Sequence, residues 1–474
     1  MAHPPRIFIA AAHKSSGKTT VSVGLARALS ERGRRVRMFK KGPDYIDPLW
    51  HRLASGRASY NLDFNTQEPE EIAALFASRA AGTDISIIEA NKGLHDGLAL
   101  DGADSNAALA RLLDAPVVLV IDTEGITRGI APLLLGYQAF DEGVRIAGVI
   151  LNRVAGPRHE AKLRAAVEHY TDIEVLGAVR RSSELVLRER HLGLTTPGDL
   201  AAREQWLSAI GRTVAEQVDL ARIESVAAGA PSFTVSMPEA PGQVGAGLRV
   251  AVARDAAFCF TYADDLERME AAGAELVFFS PLHDAGLPEN IDALFLPGGF
   301  PETHMRELEA NVGMRRSVAD AIRGGLPTHA ECGGLMYLAE RIRWGERSAE
   351  MCGVVPGEAV MHERPQGRGI VHLAASGAAP WTPARGAGEV IRAHEFHYAA
   401  LEKCPCEQLV FAWDVQRGFG IDGKRDGVVL HNLVAGFAHL RHTRQSPWVD
   451  AFLTFARHQK LAARATSTLR DAIS

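Results

Sequence analysis

Cysteine is scarce in this chain of 474 residues: there are five, at positions 259, 332, 352, 404 and 406. An odd count without regular spacing excludes a disulfide-built scaffold. Cys404-Pro405-Cys406 has no second pair at zinc-ligand spacing and reads as reduced thiols. Long apolar runs are missing too. No stretch reaches about 18 uninterrupted apolar residues, so no membrane span is expected. The opening MAHPPRIFIAAAHKSS lacks a long apolar core and a cleavage site, so no signal peptide is expected and the assignment is cytoplasmic. Neither sign of charge dominates: 52 basic residues stand against 57 acidic ones, a formal net charge of −5. That balance gives no basic footprint for nucleic acid. What is abundant is apolar residues, 46 % of the chain, enough to give two or three domains a core each.

The first half alternates strand and helix signals. Strands are expected at 6–12, 36–39, 85–89, 116–122, 146–152 and 174–178, with a helix over 19–32. PVVLVID and IAGVILN are continuous apolar runs, as in strands covered on both faces. The rhythm implies an α/β fold, a parallel sheet with helices on both sides. Residues 227–247 are rich in Ala, Pro, Gly and Ser and read as a linker. The expected organisation is therefore 1–226, a linker over 227–247, and 248–474. The second part restarts the αβ pattern, with strands at 248–253, 275–279, 292–296, 327–330, 390–393, 408–412 and 427–431. Helices are expected at 262–272 and 448–463.

AAHKSSGKTT, residues 11–20, follows the first strand and opens the first helix. It matches GxxxxGK[ST] except that Ala12 stands at the first glycine. Backbone N–H groups from Ser15, Ser16, Gly17, Lys18, Thr19 and Thr20 can wrap phosphates at a helix N-terminus. Lys18 would reach the β- and γ-phosphates of ATP, and the Thr19 hydroxyl would ligate Mg2+. Further oxygen ligands are expected from Asp44 and Asp47 in KKGPDYIDP and from Glu89 at the end of ISIIE. Lys41 joins the nucleotide set. Asp96, in GLHDG, sits where a side chain can enter the site. Asn152, at a strand C-terminus, is placed to read an adenine edge.

The second chemical signature is HAECGGLMYL, residues 329–338. Small residues flank Cys332 between a strand and a helix, as a strained nucleophile elbow requires. A helix N-terminus lowers a thiol pKa, so Cys332 is expected to be activated. Backbone amides of Gly299, in LPGGF, and of Gly333 can form an oxyanion hole. A general base is needed. His439 lies about 107 residues downstream, and His394, His397, His431 and His442 compete with it.

At these residues the chain resembles the cobyrinic acid a,c-diamide synthase family over essentially its whole length. The matching strings are SSGKTT, KGPDYIDP, APVVLVID, IAGVILNRV, RHLGL, LPGGFPE, AECGGLMYL and RAHEFHY. The resemblance implies a P-loop domain similar to dethiobiotin synthetase and a class I glutamine amidotransferase domain. It implies ATP and Mg2+ as cofactors, with L-glutamine and a tetrapyrrole polycarboxylate as partners. By motif match, Cys332 is the implied glutaminase nucleophile and His439 its base, while Lys18, Thr19, Asp44, Asp47, Glu89 and Asp96 serve nucleotide, metal and carboxylate activation. Position 441 is arginine where many glutaminases carry an acid, so a full Cys-His-Glu triad is not expected, and the resemblance is to a branch described as working without that acid. The segments YNLDFNTQ and EANKGLHDGLALDGADSN look closer to a branch thought to amidate sirohaem. Arg153, Arg158, Arg180, Arg181 and Arg190 are candidates for gripping substrate carboxylates. The alternatives are cobyric acid synthase and a partitioning-type ATPase, which would not explain Cys332. A homodimer is the default for such folds.

Overall fold

The computed structural model describes residues 4–182, 189–190, 193–194, 200–233, 235–236, 242–383 and 389–473. They fall into two compact units, Met1–Pro238 and Glu239–Ser474.

The first unit is built on seven strands: β1 Arg6–Ala11, β2 Val36–Lys41, β3 Ser59–Leu62, β4 Ile85–Glu89, β5 Val117–Asp122, β6 Ile146–Val154 and β7 Val175–Arg180. Their order is β3-β2-β4-β1-β5-β6-β7, and every pairing is parallel. β1 is buried along its whole length: residues 7–11 are an apolar run covered on both faces, and Arg6 is buried at its start. Side chains alternate between the two faces. Met38 enters a core shared with Val21, Leu25, Trp50, Ile210 and Ile223. Its neighbour Phe39 packs on Phe76, ring centroids 4.8 Å apart. Because the strands run in parallel, all their carboxyl ends lie along one edge, where α/β sheets bind ligands. The ends of β1, β2, β4, β6 and β7 and the segments that follow them carry the candidate residues of this unit to that edge.

The second unit holds a nine-stranded sheet. Glu275–Phe279, Arg249–Ala253, Ala293–Leu296, Thr328–Glu331 and Leu433–Gly436 form its parallel half. Arg425–Leu430, Val410–Arg417, Gly367–Ala375 and Val390–His397 continue it antiparallel. The sequence reading misses Gly367–Ala375. It also misses a four-stranded sheet of Arg347–Glu350, Ala339–Trp344, Val355–Met361 and Ala399–Glu402. These strands mix glycine, charged and apolar residues, which blurs the two-residue alternation. The C-terminal helix runs Trp448–Ile473, longer than expected.

The segment expected as a linker is ordered at both ends. Leu220–Ala228 is a helix capped by Asp219, whose side chain accepts from the Arg222 N–H. Beyond it Phe233 meets Phe76, and the Arg6 guanidinium donates to the Pro231 carbonyl at 2.7 Å. At the other end the Gly245 N–H donates to the Ala272 carbonyl at 2.8 Å within the second unit. Ala-, Pro- and Gly-rich sequence defines no apolar face, so composition does not reveal these contacts. Among the described residues, no helix is long and apolar enough to cross a membrane.

Candidate functional site

In the first unit the loop after β1 turns through Ser15 at φ 64° and Gly17 at φ 89° into the helix Lys18–Glu31. A Cβ on Gly17 would lie 2.2 Å from Asn152 Nδ2, so only glycine fits both the turn and the contact. Asn152 donates from Nδ2 to the Ser16 carbonyl at 2.8 Å. This amide therefore braces the loop, a role the sequence reading did not foresee. Ser16 bonds the His13 carbonyl through its hydroxyl. Lys18 is buried, with Nζ 3.5 Å from the His13 carbonyl. Burial, and then the Lys40 ammonium, lower its pKa to about 8. Thr20 follows it on the first turn of the helix.

Thr19 Oγ1 donates to Glu89 Oε1 at 2.6 Å and reaches Asp47 Oδ2 at 3.4 Å. Lys40 lies between the same two acids, 2.5 Å from Asp47 and 3.0 Å from Glu89. His51 Nε2 meets the second Glu89 oxygen at 2.6 Å. Burial opposes ionisation of Glu89, but Lys40, His51 and Thr19 together hold its carboxyl well below the ordinary range. Burial and the neighbouring Asp44 push the Asp47 carboxyl up, against the pull of Lys40. A hydroxyl with one or two carboxylates is a hard oxygen set that suits Mg2+, which takes its remaining ligands from water and phosphate. Among the described residues, no three His, Cys, Asp or Glu side chains form a closed metal cage.

Asp44 caps the helix Ile46–Ser55, accepting from the Ile46 and Asp47 N–H groups at 2.9 and 3.1 Å. Asp96 is exposed and accepts from the Gly93 N–H at 2.9 Å. Lys41 points to the opposite face of β2 from Lys40 and donates to the Asp104 carbonyl at 2.6 Å. Lys40, not Lys41, thus joins the acids. His51 was also missed, although its spacing from Asp47 puts both on one helix face.

Of the arginines, Arg153 pairs with Asp122 at 2.6 Å and Arg181 with Glu124 at 3.0 Å. Arg158 and Arg180 are exposed beside them, on the helix after β6 and at the end of β7. All four lie along the carboxyl edge of the sheet. Arg190 lies on the two-residue strand Glu189–Arg190, and its side chain is outside the described residues.

In the second unit Cys332 stands between Thr328–Glu331 and the helix Gly333–Leu338, with φ 47° and ψ −100°. A non-glycine residue there is strained, and such strain concentrates at functional sites. The thiol is almost wholly buried. Burial, then the charge of Glu302, push its pKa up, and the Gly333 N–H only partly opposes them. The expected lowering by the helix N-terminus is overturned: desolvation outweighs a helix of six residues. A Cβ on Gly333 would lie 2.8 Å from the Gly299 nitrogen, so the two amides are neighbours.

His439 is buried, with Cε1 of its ring against the PGG turn: a Cβ on Gly298 would lie 2.4 Å from Cε1, with Nε2 at 3.3 Å and Nδ1 at 3.4 Å. Its Nδ1 lies 3.4 Å from Glu331 Oε2. The competing histidines are placed otherwise. His431 sits in the hairpin before Leu433, which pairs with Thr328 at the far end of the strand from Cys332. His397 stacks on Phe437 and bonds the Ala399 carbonyl. The His442 backbone is tied to Asp265. His394 pairs with His439 through backbone hydrogen bonds, and burial lowers its pKa to about 3. Arg441 turns to Asp264 at 2.9 Å.

Residues 7–193 match the model of the CobQ/CobB/MinD/ParA nucleotide binding domain. Residues 249–447 match that of the CobB/CobQ-like glutamine amidotransferase domain. The chain is 42 % identical to a cobyrinate a,c-diamide synthase of Magnetococcus marinus, covering 96 % of this chain and 98 % of that protein. Those of Methanosarcina acetivorans and Archaeoglobus fulgidus are 39 % and 38 % identical, covering 92 % and 96 % of this chain and 92 % and 98 % of theirs. The chain belongs to the cobyrinate a,c-diamide synthase family of glutamine-dependent ligases.

Proposed function

We propose that this chain amidates the a and c acetate carboxylates of a tetrapyrrole, using ATP and glutamine. The observation that carries this reading is the pairing, within one member of this family, of a phosphate-loop constellation with a strained, buried cysteine beside two glycine amides. Cys332 Sγ attacks the carboxamide carbon of glutamine, and the Gly299 and Gly333 amides hold the oxyanion. His439 takes the thiol proton and returns it to the leaving ammonia, and water then hydrolyses the thioester.

In the nucleotide unit an acetate oxygen attacks the γ-phosphorus, ADP departs, and an acyl phosphate forms. Ammonia displaces phosphate to give the amide. Lys18 faces the developing phosphate charge. Mg2+ would be held by Thr19, Asp47 and Glu89, and when bound it neutralises phosphate charge. Asp96 and Asp44 border the reacting carboxylate. Arg153, Arg158, Arg180 and Arg181 are the guanidinium groups for the other substrate carboxylates.

The test is incubation with ATP, Mg2+ and glutamine plus cobyrinate, hydrogenobyrinate or sirohaem, followed by mass spectrometry. Two amides at the a and c positions of a corrinoid support the reading. Turnover of sirohaem alone moves the same chemistry to the other macrocycle. Amidation of propionates would instead indicate a cobyric acid synthase.

A further inference from the structure

The usual acid position after the base is taken by Arg441, which pairs away with Asp264. The structure supplies an acid from elsewhere. Glu331 immediately precedes the nucleophile and is buried at the end of its strand. Oε1 of Glu331 is anchored by His329 Nε2 and by the Leu440 N–H, both at 2.9 Å. Oε2 is directed at His439 Nδ1, 3.4 Å away. Both anchors are themselves fixed. His329 is stacked on Phe295 at 8° and packed by Trp381, Trp448 and Phe452. Leu440 follows His439 directly, so one carboxylate grips both the ring and the backbone beside it.

We propose that Glu331 is the positioning acid of the glutaminase site, orienting His439 and balancing its charge, so that acid and nucleophile are adjacent in sequence. The inference rests on the reading of Cys332 and His439 as nucleophile and base. A carboxylate on Nδ1 fixes the tautomer that leaves Nε2 to accept the thiol proton, and it stabilises the imidazolium formed. Nδ1 faces Glu331, and Cε1, the carbon between the two ring nitrogens, faces Gly298, so Nε2 diverges from the carboxylate and is the nitrogen left for the thiol proton. Burial opposes ionisation of Glu331, yet His329 and His439 hold its carboxyl down to about 2, so it is charged at neutral pH. The other titratable groups facing this cluster are His394 beside His439, and Glu302 and Asp426 beside Cys332. Of these acids, Asp426 is bonded to the Phe437 and Ala438 N–H groups.

The test compares Glu331→Gln with wild type in glutamine hydrolysis across pH, with Cys332→Ala alongside. Expected is a fall in kcat of roughly a hundredfold with KM nearly unchanged. The acidic limb of the pH profile should move down, because the imidazolium loses its counter-charge. If Cys332→Ala still hydrolyses glutamine, the underlying reading of the site fails. If Cys332→Ala is inactive but Glu331→Gln keeps the wild-type kcat and pH limb, the proposal alone is overturned. A measurement on the unaltered protein guards against a misfolded variant. With 15N-labelled histidine, a low-field Nδ1 proton resonance that vanishes in His439→Gln is expected, and its absence overturns the proposal.

Discussion

The backbone N–H of Cys332 donates to the Gly436 carbonyl at 2.7 Å. That bond closes the parallel ladder in which Glu331 pairs with Gly436, and it fixes the elbow to the strand that leads three residues later to His439. The strained backbone at Cys332 is thus held by the sheet on one side and by glycine contacts on the other. A Cβ on Gly334 would lie 2.2 Å from the Leu296 carbonyl, so the turn after the cysteine has no room to relax that way.

Cys332→Ser should therefore keep the elbow and lose the chemistry. Glutamate release from glutamine should fall by at least about a thousandfold, since a buried hydroxyl is a far poorer nucleophile than a thiolate. Amidation driven by high ammonium should persist, because ammonia is consumed in the nucleotide unit. Glutamine hydrolysis at the native rate would remove Cys332 from the mechanism.

Gly298→Ala should injure the same half-reaction by a different route. The added methyl would stand 2.4 Å from His439 Cε1, a separation that forces the ring to move. A base displaced by an ångström loses roughly a hundredfold in rate. Glutaminase kinetics should show the loss in kcat, with ammonia-driven amidation as the control. Unchanged kcat would mean that the ring edge facing this turn is not the proton-transferring one.

Much of this was legible in the sequence, and the gaps have physical causes. The strands ending at Ala11, Glu89 and Asp122 announce themselves as apolar runs, and both loops follow motifs tied to a strand-to-helix turn. Lys40 was hidden because adjacent lysines on a strand look alike until one knows which face meets Glu89. His51 left a trace, four residues after Asp47, that gains meaning only once Glu89 is opposite. Glu331 lay inside the quoted cysteine motif. Nothing local says that its partner is His439, which reaches it through a strand pairing more than a hundred residues away. The thiol pKa went astray because a motif shows a helix terminus but not its burial.

In the nucleotide unit, Lys18→Ala should stop amidation with either nitrogen source and leave glutamine hydrolysis standing, since phosphate charge is handled only there. Lys40→Met should act on stability as well. It leaves Asp47 and Glu89 buried without their shared cation, a change that costs about 3–5 kcal/mol. Urea unfolding of the nucleotide unit should report the loss, and a midpoint within error of wild type would show that Lys40 does not neutralise the pair.

Glu302 links acid–base behaviour to the thiol. It is buried, and burial pushes its carboxyl up to about 7. Between the ordinary value of 4.5 and about 7 the folded protein keeps a proton that the unfolded chain releases. The associated stability is complete below the lower value and is lost as pH rises through the upper one, on the order of 3 kcal/mol in all. Glu302→Gln should remove that slope, so the variant should gain on wild type at pH 8 and match it near pH 4.5 in urea titrations. The same charge is the largest influence, after burial, raising the Cys332 thiol. Removing it should let the thiolate form at lower pH and speed alkylation of Cys332 by iodoacetamide roughly tenfold at pH 8. An unchanged alkylation rate alongside a flattened stability profile would separate the two effects, leaving Glu302 a buried acid with no electrostatic hold on the nucleophile.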